Sequence, residues 1–385
     1  MVPLNNSIDI LIFVQDPGAA NYVAPLVKGI IDKGLGIKVL TDGIARDHLT
    51  LRGIANEPIS PGMSAADVIN EYAPRLLVVG TACNPDTFAF PLIHAARDAG
   101  IQSVGCIDAA MNHEKRFSGR SDDALFHAPD WIIVPDGSIK KKFVDLGAST
   151  DSVIECGHPH YDYVRELGMK FAKKERSTIR TRLFPDLKPD QKVIIFLSEV
   201  SARLDPLKAE VIKDYTFSGR GSAKGRTEII LEELLDAAKL LDDTPYVVLR
   251  AHPKDDANDY EQYRAELNMV SFGGEPHEML YAADLVVGMT SMSLLEAALL
   301  ECNVLSVIPR EFEMKWLPFP LKSRIPCVYS SIRLRKELKH LLNSGRPLDS
   351  SVNDVFVNES VVRTVLLLEN ILDNSINGHR STPQP

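Results

Sequence analysis

The chain lacks most of the features that would assign it to a class at once. No apolar run approaches the roughly 20 residues needed to span a bilayer, and no basic segment precedes the first apolar run at residues 10–14. Neither a membrane span nor a signal peptide is expected, and the chain is placed in the cytoplasm. Cysteine is sparse: Cys83, Cys106, Cys156, Cys302 and Cys327 are scattered, with no CxxC pair. That pattern argues against a disulfide framework and fits buried thiols in a reducing compartment. Positive charge is short too, since 43 Lys and Arg face 52 Asp and Glu for a net charge of -9. A broad nucleic-acid surface is excluded, because binding phosphates over a wide area needs a basic stripe. GxGxxG and Walker sequences are absent, so the usual dinucleotide and P-loop fingerprints are missing. Nor does a basic amphipathic helix stand out as a direct membrane anchor.

What is present is an ordinary globular composition, 45% hydrophobic and 25% charged, over 385 residues. That length exceeds what one core usually supports, so two domains are expected. Apolar strands at 9–14, 37–40, 75–79, 102–107, 131–134 and 153–156 alternate with helical patterns at 21–33, 88–99 and 139–146. The strands are Val- and Ile-rich with little alternation, as strands covered on both faces are. A second rhythm repeats the pattern: strands at 192–197, 246–250, 269–272, 285–287 and 304–307, with helices at 227–241, 260–266 and 293–301. The fold class is α/β, two Rossmann-like domains facing a central cleft. The first domain is expected at 1–165, a linker at 166–190, the second domain at 191–350, a C-terminal helix packing back on the first domain at 351–375, and a disordered tail at 376–385.

Ligands of open parallel sheets sit beyond the carboxyl ends of strands, which directs attention to five segments. Gln15-Asp16-Pro17-Gly18-Ala19-Ala20-Asn21 follows the first strand. Its small residues allow close approach at a helix start, where Asp16 is either a base or an N-cap. Asp108, Asn112, His113 and Arg116 follow the strand ending at Ile107 and supply an acid–base pair, an amide and a guanidinium. Asp108 lies nearest the strand end and is the leading candidate. Gly157-His158-Pro159-His160 follows the strand ending at Cys156; its two histidines lack a third strong ligand nearby, so a turn facing the cleft is expected and no metal site.

In the second half, Arg250 and His252 follow one strand, and Thr290, Ser291 and Ser293 open a helix carrying Glu296. Hydroxyls and N–H groups at a helix start suit a pyrophosphate, and Glu296 suits ribose hydroxyls. Between strands lies the glycine-rich segment 217–226, where Arg220, Lys224 and Arg226 are read as a lid or diphosphate clamp, or else as a mobile surface loop.

These residues carry a family resemblance. Arg250-Ala-His252-Pro253, then Tyr281-Ala-Ala-Asp284-Leu-Val-Val-Gly288-Met-Thr290-Ser291 and Glu296-Ala, resemble the donor-binding half of GT-B glycosyltransferases. UDP-N-acetylglucosamine 2-epimerases and CDP-glycerol glycerophosphotransferases have similar patterns. In the first half, Pro129-Asp130 to Pro135-Asp136 and Gly157-His-Pro-His-Tyr-Asp162 resemble the family's approach to the interdomain crossover. The resemblance implies a metal-independent glycosyltransferase of surface-polysaccharide or glycoconjugate synthesis, with no cofactor beyond the nucleotide-sugar itself. It places base and ribose around His252 and Glu296 and the diphosphate at Thr290 to Ser293. A saccharide or lipid-linked acceptor would meet Asp16, Gly18, Asn21, Asp108, Asn112, Arg116 and His158, with Asp108, Asp16 and His113 as rival bases. Membrane association would be peripheral at most. The epimerases' Gly-Thr-Arg-Pro-Glu stretch is absent here, replaced by Asp16-Pro17-Gly18-Ala19. A hydrolysing 2-epimerase and a silent binding module of the same fold are the competing readings.

Overall fold

A computed structural model describes residues 8–199, 215–221, 223, 225–318, 321–322, 324–345 and 359–377. Lys224 and the tail from residue 378 lie outside the described residues. The chain divides into two compact units, Met1–Tyr163 with Phe356–Pro385, and Val164–Val355.

The first unit is built on a parallel sheet of β1 (Ile10–Val14), β2 (Ile37–Thr41), β3 (Glu57–Pro58), β4 (Leu76–Gly80), β5 (Gln102–Cys106), β6 (Trp131–Val134) and β7 (Val153–Glu155). Their order is β3-β2-β1-β4-β5-β6-β7, so the direction of winding reverses between β1 and β4. β1 and β4 are buried along their whole length, as strands covered by helices on both faces must be. The helices are α1 (Pro17–Asp32), α2 (Ala45–Leu51), α3 (Ala65–Tyr72), α4 (Ala89–Asp98) and α5 (Gly137–Asp145). Helix α1 begins four residues before the apolar pattern suggests, because Pro17 is tolerated where an N–H has no helical partner anyway. Its approach to the sheet is close: a methyl on Gly80 would lie 2.5 Å from Ala19 Cβ.

Helices α6 (Pro159–Ala172) and α7 (Arg176–Leu183) occupy much of the stretch read as a linker. Apolar periodicity could not announce α7, which buries only Ile179. It is fixed instead by charge. Arg176 donates to the carbonyls of Tyr281 and Ala282, and Arg176 and Arg180 both reach Asp284, at 3.2 and 2.8 Å.

The second unit carries β8 (Val193–Leu197), β9 (Tyr246–Arg250), β10 (Met269–Ser271), β11 (Leu285–Gly288), β12 (Asn303–Val307) and β13 (Cys327–Val328). These are parallel in the order β10-β9-β8-β11-β12-β13, with the reversal between β8 and β11. The helices are α8 (Arg226–Ala238), α9 (His277–Ala282), α10 (Met292–Leu299) and α11 (Ser331–Asn343). The helix expected at 260–266 is a 3-10 turn at Ala257–Tyr263. Helix α11 corrects a second expectation, since it is a basic amphipathic helix with only Leu334, Leu338 and Leu342 buried.

The last helix, α12 (Ser360–Asn377), belongs to the first unit. Val365, Leu368 and Ile371 join the core of Leu26 and Ile30, and Gly29 lets the helices meet, since a methyl there would lie 3.0 Å from Val365 Cγ2. Lys33 and Glu369 close the contact at 2.8 Å. Among the described residues, no helix is long and apolar enough to cross a membrane.

Candidate functional sites

Each sheet reverses winding once, and at each reversal the loops leaving neighbouring strands converge on polar side chains. In the first unit these loops follow β1, β4 and β5. Asp16 is the N-cap residue of α1, yet its side chain makes no cap hydrogen bond. Asp108, two residues past β5, pairs with Arg116 through Oδ1 and Nη1 at 2.9 Å. Its other oxygen lies against α1, where a methyl on Gly18 would fall 2.0 Å from Oδ2. Glycine is therefore required at position 18 for the carboxylate to stand where it does.

Arg116 is 6% exposed. Its Nη1 donates to the Thr81 carbonyl and its Nη2 to that of Met111, both at 3.3 Å. Burial alone would lower the pKa of this guanidinium, but Asp108, Cys83 and Asp16 outweigh burial and raise it. Asp16 and Asp108 thus share one buried cation. His158 acts from below. Its Nδ1 accepts the main-chain N–H of His160 at 3.3 Å, which leaves the proton on Nε2 to be donated to the Asp108 carbonyl at 3.1 Å. The ring stacks on Tyr161 at 4.1 Å. In this tautomer His158 holds the backbone of Asp108.

The other first-unit candidates are placed differently. Asn21 is engaged by His48 on α2 at 2.5 Å. Asn112 adopts a left-handed backbone, φ 53, and donates to Cys83 Sγ. His113 contacts Glu114 at 3.2 Å and meets Phe143 edge-on. Burial, and then Lys142, lower its pKa.

In the second unit the central group is one that sequence reasoning passed over. Glu199, two residues past β8, accepts both the main-chain N–H and the hydroxyl of Thr290, the latter at 2.8 Å. Arg226 binds the same carboxylate at 2.7 Å and reaches Glu313 at 2.7 Å, and Glu313 in turn holds Arg310 at 2.5 Å. The side chains of Arg226, Glu313 and Arg310 are at most 2% exposed. Burial by itself would raise the pKa of Glu199, but Arg226 and Thr290 overcome it and hold the carboxyl below its ordinary value. Thr290 therefore orders the turn after β11, its two donors being engaged by a protein carboxylate. Applying the strand-end rule to β8 as well as to β9 and β11 would have found Glu199.

The glycine-rich segment is likewise anchored where the structure describes it. Arg226 is the buried residue just named, and Arg220 is paired with Asp236 and Glu266 at 2.5 and 2.6 Å. Both guanidiniums thus have protein carboxylates as partners, so neither enters the site as an unpaired clamp. Ser291 caps α10 by accepting the N–H of Ser293 at 3.1 Å.

A second cluster lies around Glu296, which is buried on α10. His277, also buried, is 2.8 Å from Glu275 through Nδ1 and 3.6 Å from Glu296 through Nε2. Arg250 donates to Ser271 Oγ at 2.9 Å and to the Gly274 carbonyl. Burial lowers its pKa against the opposing pull of Glu275 and Glu296. The main-chain N–H of His252 is held by Ser198 and Asp255, and burial lowers the pKa of its imidazole. His277 and Glu275 were not evident in the sequence, because their loop carries no motif beyond polarity.

Two open parallel α/β sheets with this topology define the GT-B class of fold. No protein-family model matches the sequence, and no curated protein sequence does. Solved structures of that class do match over nearly the full length. UDP-GlcNAc 2-epimerase from Neisseria meningitidis, bound to UDP-GlcNAc, aligns with a TM-score of 0.63 at 15% identity, covering 96% of this chain and 100% of that one. The Methanocaldococcus jannaschii UDP-GlcNAc 2-epimerase gives 0.64 at 14% identity over 94% and 99%. The wall teichoic acid polymerase TagF, in its H444N form soaked with CDPG, gives 0.59 at 12% identity over 97% and 91%. At such identities the likeness establishes the fold.

Proposed function

We propose that the chain is an enzyme of nucleotide-activated sugars, transferring a sugar or polyol phosphate from the nucleotide to an acceptor hydroxyl in surface-polysaccharide or glycoconjugate synthesis. The observation that carries this reading is the gathering of Arg250, Glu296 and His277 at the carboxyl ends of the second sheet, in a fold whose solved members include one holding UDP-GlcNAc. On this reading the second unit takes the nucleotide. Arg250 and the N–H groups opening α10 offset the charge of the leaving phosphate, His252 and Glu296 contact base and ribose, and no metal is needed. In the first unit Asp108 serves as the base, its carboxylate fixed between Arg116 and Gly18. Asp16 is its nearest rival because it approaches the same guanidinium; His113 is the third.

The test is thermal stabilisation by free UDP, GDP, ADP, CMP and CDP, with and without magnesium, since a ligand that binds only the folded chain raises its midpoint. One selective shift, unchanged by chelator, is the expected outcome. No shift with any nucleotide overturns the proposal in favour of a silent module. With the nucleotide known, Asp108→Asn should keep the shift and lose turnover by about 100-fold or more; full turnover would remove Asp108 from the role. A hydrolysing 2-epimerase is the second reading, favoured by the higher TM-scores of the two epimerases. Nucleotide release from a donor sugar with no acceptor present would establish it.

A further inference from the structure

Helix α11 reads SIRLRKELKHLLN, with Arg333, Arg335, Lys336 and Lys339 set against the single acid Glu337. This is a local reversal of charge in a chain whose net charge is -9. Leu334, Leu338 and Leu342 are buried in the core shared with α8, which turns the basic side chains outward. Ile332, Lys336 and His340 are spaced four apart and so lie along one face. Beside that face runs a groove of about 630 Å³, lined by Leu240 and Leu241 on one side and by Arg335, Lys336, Lys339 and His340 on the other. Lys339 is held by Asp242 at 2.8 Å. Arg335 and Lys336 have no carboxylate partner among the described residues. The flanking apolar side chains are unusually open to water, Ile332 at 80% and Leu240 at 64% exposed.

We propose that this face docks the protein on an anionic bilayer surface. Two features in combination select that partner. A soluble polyanion would match the cations but leave Ile332 and Leu240 in water, whereas a bilayer interface accepts anionic contacts at its headgroups and apolar side chains just beneath them. The negative charge elsewhere on the chain does not oppose this, because charges farther than about 10 Å from the membrane are screened at ordinary salt. Such docking would hold the enzyme where a lipid-linked acceptor is presented. The surface proposal does not depend on that chemistry.

Flotation of the full chain with vesicles of phosphatidylcholine alone, or of phosphatidylcholine with phosphatidylglycerol, tests it. The wild type should float only with the anionic vesicles and be released as salt rises. The double variant Arg335→Glu/Lys336→Glu should lose at least about tenfold in partitioning, the two cations each contributing severalfold at an anionic surface. Ile332→Ser should lose a smaller factor at low salt and proportionally more at high salt, where the apolar contribution remains. Equal flotation with neutral vesicles, no flotation of the wild type, or flotation unchanged by the double charge reversal would each overturn the inference. Since Arg335 and Lys336 are exposed and belong to neither cluster described above, the double variant should keep the wild-type unfolding midpoint and nucleotide-induced shift. That separates loss of docking from misfolding and from failure of the catalytic reading.

Discussion

The two reversal points solve the same electrostatic problem in different ways. In the first unit one guanidinium, Arg116, is paired with Asp108 and lies in the field of Asp16, and its two Nη groups also donate to main-chain carbonyls. The Asp108 side chain keeps 16% of its surface in solvent. In the second unit two guanidiniums alternate with two carboxylates, Glu199 to Arg226 to Glu313 to Arg310, almost entirely out of water. A buried alternating chain is held rigidly, because removing any member leaves a neighbouring charge without compensation. Asp108, at 16% exposure, has more freedom to rearrange around its buried partner. The reversal point of the second unit is therefore the more rigidly held of the two, and that of the first leaves its Asp108 carboxylate partly open to solvent.

The largest effect expected from this contrast is on stability. Arg226→Met removes the partner of both Glu199 and Glu313 and should cost about 3–5 kcal/mol in urea unfolding. Arg116→Met removes the partner of Asp108, whose side chain is 16% exposed and can be rehydrated, together with the cation that Asp16 faces, and should cost about 1–3 kcal/mol. Equal losses would break the comparison. Next in size is Gly18→Ala, whose methyl would stand 2.0 Å from Asp108 Oδ2. The carboxylate has to move, at about 1–3 kcal/mol for an overpacked contact. Turnover should fall with it if Asp108 is the base, while the nucleotide-induced shift stays. Unimpaired turnover would mean that the position of this carboxylate does not matter.

The difference between the units also explains what could be read in advance. Both sheets were legible because strands covered on two faces are written as continuous apolar runs, such as Ile10–Val14 and Val193–Leu197. Loops at strand ends led to Asp16, Asp108 and Thr290. What stayed hidden was held by charge. Helix α7 has little apolar surface to betray it and is placed by Arg176 and Arg180 on Asp284. Glu313 and Arg310 lie far in sequence from Arg226 and have no local pattern, so only the folded chain brings them together. Strand β3 has two exposed residues and no apolar signal at all. Helix α3 was legible and overlooked, since Ser64 and Asp67 form a capping box three residues apart.

A smaller effect distinguishes the units through pH. Burial holds the His252 imidazole below its ordinary pKa of 6.5, so the unfolded chain binds a proton more readily than the folded one. That contribution to stability is complete above 6.5 and is lost as pH falls below it. His252→Gln should make the decline in the urea midpoint on acidification shallower. It should not abolish it, since burial lowers His113 in the first unit in the same direction. An unchanged pH dependence would mean that His252 contributes nothing to the acid sensitivity.

The smallest expected effect concerns Arg220. Hydrogen bonding from Arg220, against an opposing effect of burial, holds the Glu266 carboxyl down to about 2. The pair is partly solvated, so Arg220→Ala should cost only about 0.2–1 kcal/mol near neutral pH. The sign of the linkage fixes where even this appears. A depressed carboxylate stabilises the fold above its ordinary value near 4.5 and ceases to do so as pH falls toward 2. Wild type and variant should therefore converge in acid. Because Arg220 is already engaged by Asp236 and Glu266, the nucleotide-induced thermal shift of the variant should equal that of the wild type. Loss of that shift, with the same small change in unfolding, would mean that Arg220 leaves its carboxylates for a phosphate, and the glycine-rich segment would regain a part in binding that its ion pairs argue against.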